Sequence, residues 1–145
     1  MKKLVLALVC LFTMQSLAWA EDDKPIQVNQ LPQVAQTFIQ QHFPTHKVAM
    51  AKLESEWFDK SYDVIFTNGD KVEFDKKGEW TEVNCRYSEV PGKVVPDAIH
   101  QYVSSHYPNT KLLCIERDKH EYEVKLSDGW EITFNRQFQV IDIDK

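Results

Sequence analysis

The sequence predicts an α+β protein built as two tandem repeats, each a helix followed by a four-stranded antiparallel sheet, with the helices on one face of the sheet. Three observations predict it. "FIQQHFP" (Phe38 to Pro44) returns as "YVSSHYP" (Tyr102 to Pro108), inside an ungapped match of Leu31–Val48 with Val95–Leu112. "YDVIFTNGDKVEFDKKGEW" (Tyr62 to Trp80) aligns in the same way with "YEVKLSDGWEITFNRQFQV" (Tyr122 to Val140). Within each half the helical pattern precedes all the alternating ones, and tight-turn residues join the latter. That order favours segregated α and β elements with one sheet face left open.

The chain opens with a leader. Lys2 and Lys3 precede an apolar run, Leu4 to Phe12, and "AWA" (Ala18 to Ala20) offers small residues at a cleavage site, so residues 1–20 read as a signal peptide. Cys10 as a lipid-attachment site is disfavoured by bulky Val9 before it and by apolar residues after it. The run falls short of the ~20 apolar residues that span a bilayer, and no other stretch approaches that length. The expected product is exported to the periplasm, with no membrane span. Without the leader, 15 Lys and Arg stand against 22 Asp and Glu, a net charge of −7. Scattered basic residues on so acidic a chain exclude the electrostatic footprint of a nucleic-acid binder.

Residues 21–30 are expected to form an N-terminal arm. Repeat 1 follows at 31–85, a linker carrying Pro91 and Gly92 at 86–93, and repeat 2 at 94–145. In each repeat, apolar residues spaced 0, 3, 4, 7 and 8 (Leu31, Val34, Ala35, Phe38, Ile39; Val95, Ala98, Ile99, Tyr102, Val103) define an amphipathic helix of about three turns. Pro32 and Pro96 suit the start, and Pro44 and Pro108 enforce the stop. Downstream, Tyr62, Val64 and Phe66 share a strand face, as do Val72 and Phe74. A two-residue Asn-Gly loop would put these sets on opposite faces, so a three-residue loop is required. Thr67-Asn68-Gly69 and Ser127-Asp128-Gly129 are those loops. They set Val64 against Val72, Tyr62 against Phe74, Val124 against Ile132 and Tyr122 against Phe134. The last strand of each repeat is ambiguous, because Trp80 and Val83, like Val140 and Ile143, have opposite parity.

These motifs, "P…FI…HFP", the "YDVIFTNGDKVEFDKKGEW" meander and the closing "VIDID", resemble the PepSY-like family of secreted bacterial proteins, also described as beta-lactamase-inhibitor-like. The resemblance covers Leu31 to Asp144 and implies a periplasmic protein of the inhibitor-like helix-and-sheet shape. The second copy departs from the pattern where "NRQF" (Asn135 to Phe138) replaces "DKKG", leaving its last turn without glycine.

Catalytic chemistry finds little footing. There is no G-x-S-x-G elbow, no C-x-x-C pair and no phosphate-binding loop. His42 and His46 are split by Pro44, while His42 and His106 suit helix ends, so no metal or cofactor is expected. Cys85 and Cys114 are either a disulfide, worth ~3 kcal/mol in the chain-entropy model, or two buried thiols. Acidic residues alternating along strands, Asp63, Glu73, Glu123 and Glu131, read as a solvated sheet face. Partner-binding candidates are aromatic: Trp57 and Phe58 at a hairpin tip, and Tyr87 in the linker. The function these features favour is a non-enzymatic binding module that contacts an envelope protein or peptide through its open sheet face. The alternative is a carrier of a small apolar ligand held between helices and sheet.

Overall fold

A computed structural model describes residues 23–145; the leader lies outside them. The elements are β1 (Asp23–Ile26), a 3-10 turn (Val28–Gln30), α1 (Gln33–His42), β2 (Val48–Glu56), β3 (Asp59–Phe66), β4 (Lys71–Asp75), β5 (Trp80–Asn84), α2 (Asp97–His106), β6 (Leu112–Arg117), β7 (Glu121–Leu126), β8 (Glu131–Asn135) and β9 (Val140–Asp144). All nine strands form one antiparallel sheet in the order β1 to β9.

That single sheet corrects the expected fold class of two helix-plus-four-stranded repeats. Two features overturn it. Strand β5 pairs with β6, setting Val83 opposite Ile115 and Asn84 opposite Cys114, so no sheet boundary separates the halves. The expected arm also contributes a strand: β1 pairs with β2, Asp23 opposite Glu54 through Ile26 opposite Ala51. The physical reason is common to both. A four-stranded sheet ends in edges whose backbone groups need partners, and joining the edges supplies them.

The local registers follow from the turns. Gly69 N–H donates to Phe66 O, and Gly129 N–H to Leu126 O, in three-residue loops with both glycines at positive φ (+93° and +95°). The pairs Val64–Val72, Tyr62–Phe74, Val124–Ile132 and Tyr122–Phe134 are all found. The parity conflict at the last strands resolves through bulges: Phe74 faces Trp80 while Glu73 faces Glu82, and Phe134 faces Val140 while Thr133 faces Asp142. In the turn without glycine, Phe138 takes the left-handed position (φ +63°), its ring 5.4 Å from that of Tyr122.

Alternation then sorts the sheet into two faces. One carries a continuous row, Ala51, Val64, Val72, Val83, Ile115, Val124 and Ile132, each 4 % exposed or less. Both helices pack on this row, α1 through Ala35 and Ile39 and α2 through Ile99 and Val103. Phe38 meets Phe74 edge-on at 5.6 Å, and Tyr102 meets Phe134 at 5.5 Å. Pro32 and Pro96 sit just before the helices, as N-caps rather than in the first turn. The linker packs down through Val90, with Val94 buried just after it, and is pinned by buried Asp70, which accepts hydrogen bonds from Ser88 Oγ (2.6 Å) and Asn68 Nδ2 (3.0 Å).

Candidate functional site

The opposite face of the sheet is built from the residues between those core positions. Lys52 stands across from Asp63, Asp63 from Glu73, Glu73 from Glu82, Glu82 from Glu116, and Glu116 from Glu123. Five carboxylates thus occupy five neighbouring strands, each about 4.8 Å from the next. The pairings within hairpins follow from the same registers that align the core. The Glu82–Glu116 pairing depends on the β5–β6 junction, which joins the two acidic stretches into one row.

Packing carboxylates this closely perturbs them. Burial first, and then Glu54 and Glu73, push Asp63 up to about 7 against the pull of Lys71. Burial and the neighbouring Glu73 and Glu116 push Glu82 up to about 7 as well. Glu73 goes the other way: burial would raise it, but contacts with Glu82 and Lys71 hold it below the usual carboxylate range. Glu123 is raised by burial and by Glu116. The raised Asp63 and Glu82 beside the lowered Glu73 reflect like-charge crowding, since adjacent carboxylates cannot all ionise cheaply. Asp63, read from sequence as solvated, is 2 % exposed; it lies between β2 and β4 with Lys52, Glu54, Lys71 and Glu73 around it.

Two tight groups of ligand atoms lie on this face, each combining two members of the row with one flanking residue: Glu54 with Asp63 and Glu73, and Cys114 with Glu82 and Glu116, each set with its ligand atoms within 4.8 Å of one another. A cleft of about 240 Å³ opens over the second stretch, lined by Glu73, Glu82, Glu116, Glu123 and, at its end, Arg117. The Arg117 guanidinium lies 3.9 Å over the Trp80 ring, and its Nε donates to Trp80 O at 2.7 Å.

The aromatic candidates occupy other places. Trp57 and Phe58 form the two-residue turn between Glu56 and Asp59 and are 96 % and 94 % exposed, with Trp57 at φ +48°. Tyr87 lies at the other end of β3, its ring against Gly69. Eight residues of strand, roughly 26 Å, separate the two ends, so the three side chains share no patch. Cys85 and Cys114 are both buried and free. Cys85 belongs to the core packed under the helices, whereas Cys114, next to core-facing Ile115, points to the acidic face. Burial pushes both thiols up to about 12, with Asp70 adding to it at Cys85 and Glu82 at Cys114. His42 and His106 end α1 and α2; His46 instead approaches buried Asp70, Nε2 to Oδ2 at 3.7 Å.

The sequence profile of a family described as "Putative beta-lactamase-inhibitor-like, PepSY-like" matches residues 12–56 and 60–142. The chain belongs to the PepSY-like family. Three solved structures place this PepSY-like chain further. One, described as a "putative periplasmic protein" of the DUF2874 family from Bacteroides vulgatus, is 75% identical, with a TM-score of 0.85 over 87% of this chain and 99% of its own. A "putative calcium-regulated periplasmic protein" from Bacteroides thetaiotaomicron is 60% identical, with a TM-score of 0.86 over 87% and 99%. A third, a "putative periplasmic protein of unknown function" from Bacteroides vulgatus, is 36% identical, with a TM-score of 0.80 over 85% and 99%. A comparison with curated proteins finds no match. The periplasmic location expected from the leader agrees with all three descriptions. Among the described residues, no helix is long and apolar enough to cross a membrane.

Proposed function

We propose that this PepSY-like protein is a non-enzymatic periplasmic binding module whose open sheet face receives a cationic ligand, a lysine- or arginine-bearing segment of another envelope protein. The carboxylate row from Asp63 to Glu123 carries the reading. It is set on the face the helices leave bare. Carboxylates on neighbouring strands repel one another, and an incoming cation relieves that repulsion. Trp57 and Phe58, and separately Tyr87, are the apolar anchors such a partner meets at the ends of the first hairpins, because exposed aromatics concentrate binding energy. The clefts over the acidic stretch and beside α2, about 240 Å³ each, are smaller than the ~300 Å³ and upward of small-molecule sites, which disfavours an apolar carrier. Fluorescence anisotropy with a labelled decalysine peptide tests the reading. Binding should weaken with salt and fall in Glu82→Gln/Glu116→Gln. Equal affinity of the double variant, or equal binding of a polyglutamate peptide, would refute it.

A second reading has its own support. The relative from Bacteroides thetaiotaomicron is described as calcium-regulated, and Asp63 Oδ1 is buried and meets no nitrogen or hydroxyl donor. Calcium, which takes carboxylate oxygens at 2.3–2.6 Å, is then the cation of this face. A rise in melting temperature on adding calcium, larger than that given by equal ionic strength of sodium, is the expected result. No difference between the two salts would remove this reading.

A further inference from the structure

We propose that Glu54, Asp63 and Glu73 form a site for one hard divalent cation, and that Lys52 and Lys71 hold that site as displaceable stand-ins. The inference rests on the calcium reading and gives it a location and a means of regulation. Asp63 projects from the middle of β3 onto the acidic face and is 2 % exposed. Its Oδ2 lies 3.7 Å from Lys52 Nζ and 4.0 Å from Lys71 Nζ, longer than the ~2.7–2.9 Å of a strong charged hydrogen bond. Its Oδ1 meets no nitrogen or hydroxyl donor; the groups beside Asp63 are the Glu54 and Glu73 carboxylates, contacts that hold only through a shared proton or a cation. A buried carboxylate oxygen left bare is costly unless something else approaches it.

The two lysines hold the outer carboxylates more closely, Lys52 with Glu54 at 3.3 Å and Lys71 with Glu73 at 3.3 Å. Once all three carboxylates are ionised, two ammonium groups leave one negative charge uncovered, a charge that a proton on Asp63 covers when no other cation is present. The three ligand oxygens lie within 4.8 Å of one another, a spread that one ion bonded at 2.3–2.6 Å can bridge. The set holds no thiol or imidazole, so its chemistry selects calcium over zinc or copper. Lys52 and Lys71 are 25% and 35% exposed at the side chain and reach the face on flexible stems. As the ion enters, Lys52 keeps Asp23, already 3.5 Å away. Lys71 has the Glu82 carboxylate as a neighbour on its other side. Cation exchange on this face then links the grip of the first three strands to the ion, because Asp23 lies in β1 and Glu54 in β2.

Calorimetric titration of the protein with calcium chloride tests the proposal, with magnesium and zinc chlorides as comparators. Asp63→Asn should weaken calcium binding by about tenfold or more. The double variant Lys52→Met/Lys71→Met should tighten it, because two competing cations are gone. Glu116→Gln, outside the three ligands, should change it less than about threefold. A second measurement is independent of whether the variants fold. Manganese added to the wild-type protein should broaden the amide NMR signals of Lys52–Glu54, Tyr62–Val64 and Val72–Phe74 before others. Calcium binding that ignores Asp63→Asn but is lost in Glu82→Gln/Glu116→Gln would overturn this site and leave the calcium reading standing. No calcium binding by the wild-type protein would remove both. Weaker binding in the lysine double variant would overturn the stand-in role.

Discussion

Gly69 and Gly129 occupy equivalent turns with nearly equal backbone angles, φ +93° and +95°, yet their surroundings differ. A Cβ at Gly129 would meet nothing nearer than Lys145 Cε at 3.9 Å. At Gly69 it would lie 2.7 Å from Tyr87 Cε2 and 2.9 Å from Cδ2, about 1 Å inside ordinary carbon contact. Alanine at Gly129 should therefore cost only the left-handed backbone, ~1–2 kcal/mol, less the ~0.4–1 kcal/mol gained by restricting the unfolded chain. The net is about 1 kcal/mol. Alanine at Gly69 carries the same term and must also push the Tyr87 ring away. That ring is 68% exposed and free to swing out, so the added loss is its contact with the turn, on the order of 1 kcal/mol. Urea unfolding followed by tryptophan fluorescence reads both variants. A double-mutant cycle with Tyr87→Ala isolates the contact, and Gly69→Ala should become as mild as Gly129→Ala once the ring is gone. Equal costs for the two glycine variants, or a cycle that adds without coupling, would refute the placement of Tyr87 and the docking of the linker on the first turn.

Two further outcomes follow from the buried groups. Glu82 is pushed up to about 7, chiefly by burial and then by Glu73, above its unfolded value near ~4.3. The folded state thus binds the extra proton, and stability falls as pH rises from about 4 through 7. Glu82→Gln should match wild type at pH 4 and exceed it at pH 8 by about 1–2 kcal/mol, discounted for partial exposure; a variant no more stable at pH 8 would contradict the assignment. Cys85 and Cys114, free and on opposite faces, should react as two thiols with Ellman's reagent in denaturant and only slowly in the native protein lacking residues 1–20. Finding no thiols after unfolding without reductant would mean that the two are bridged.

Much of the local fold was legible. Parity around Asn68-Gly69 and Asp128-Gly129 was enough to require three-residue loops, and those loops fix which core residues face each other. The proline pairs bounded both helices to within a turn. Long-range pairing was not legible. Joining β5 to β6 matches Val83 with Ile115 across an intervening helix, and no local signal specifies that register. Strand β1 carries Pro25 and Lys24, residues that read as a loose arm, and only its pairing with β2 makes it a strand. The acidic site was half visible. Asp63 opposite Glu73 follows from the hairpin register, but the burial of Asp63 and the meeting of Glu82 with Glu116 need the whole sheet.

Carboxyl-carbon NMR of Asp63, Glu73, Glu82, Glu116 and Glu123 during a decalysine titration is the most direct test of a cation-receiving sheet face. All five resonances should move and saturate together, while carboxyls away from the row, such as Asp97 on α2, stay still. Five unmoved resonances, with the peptide bound elsewhere or not at all, would contradict it.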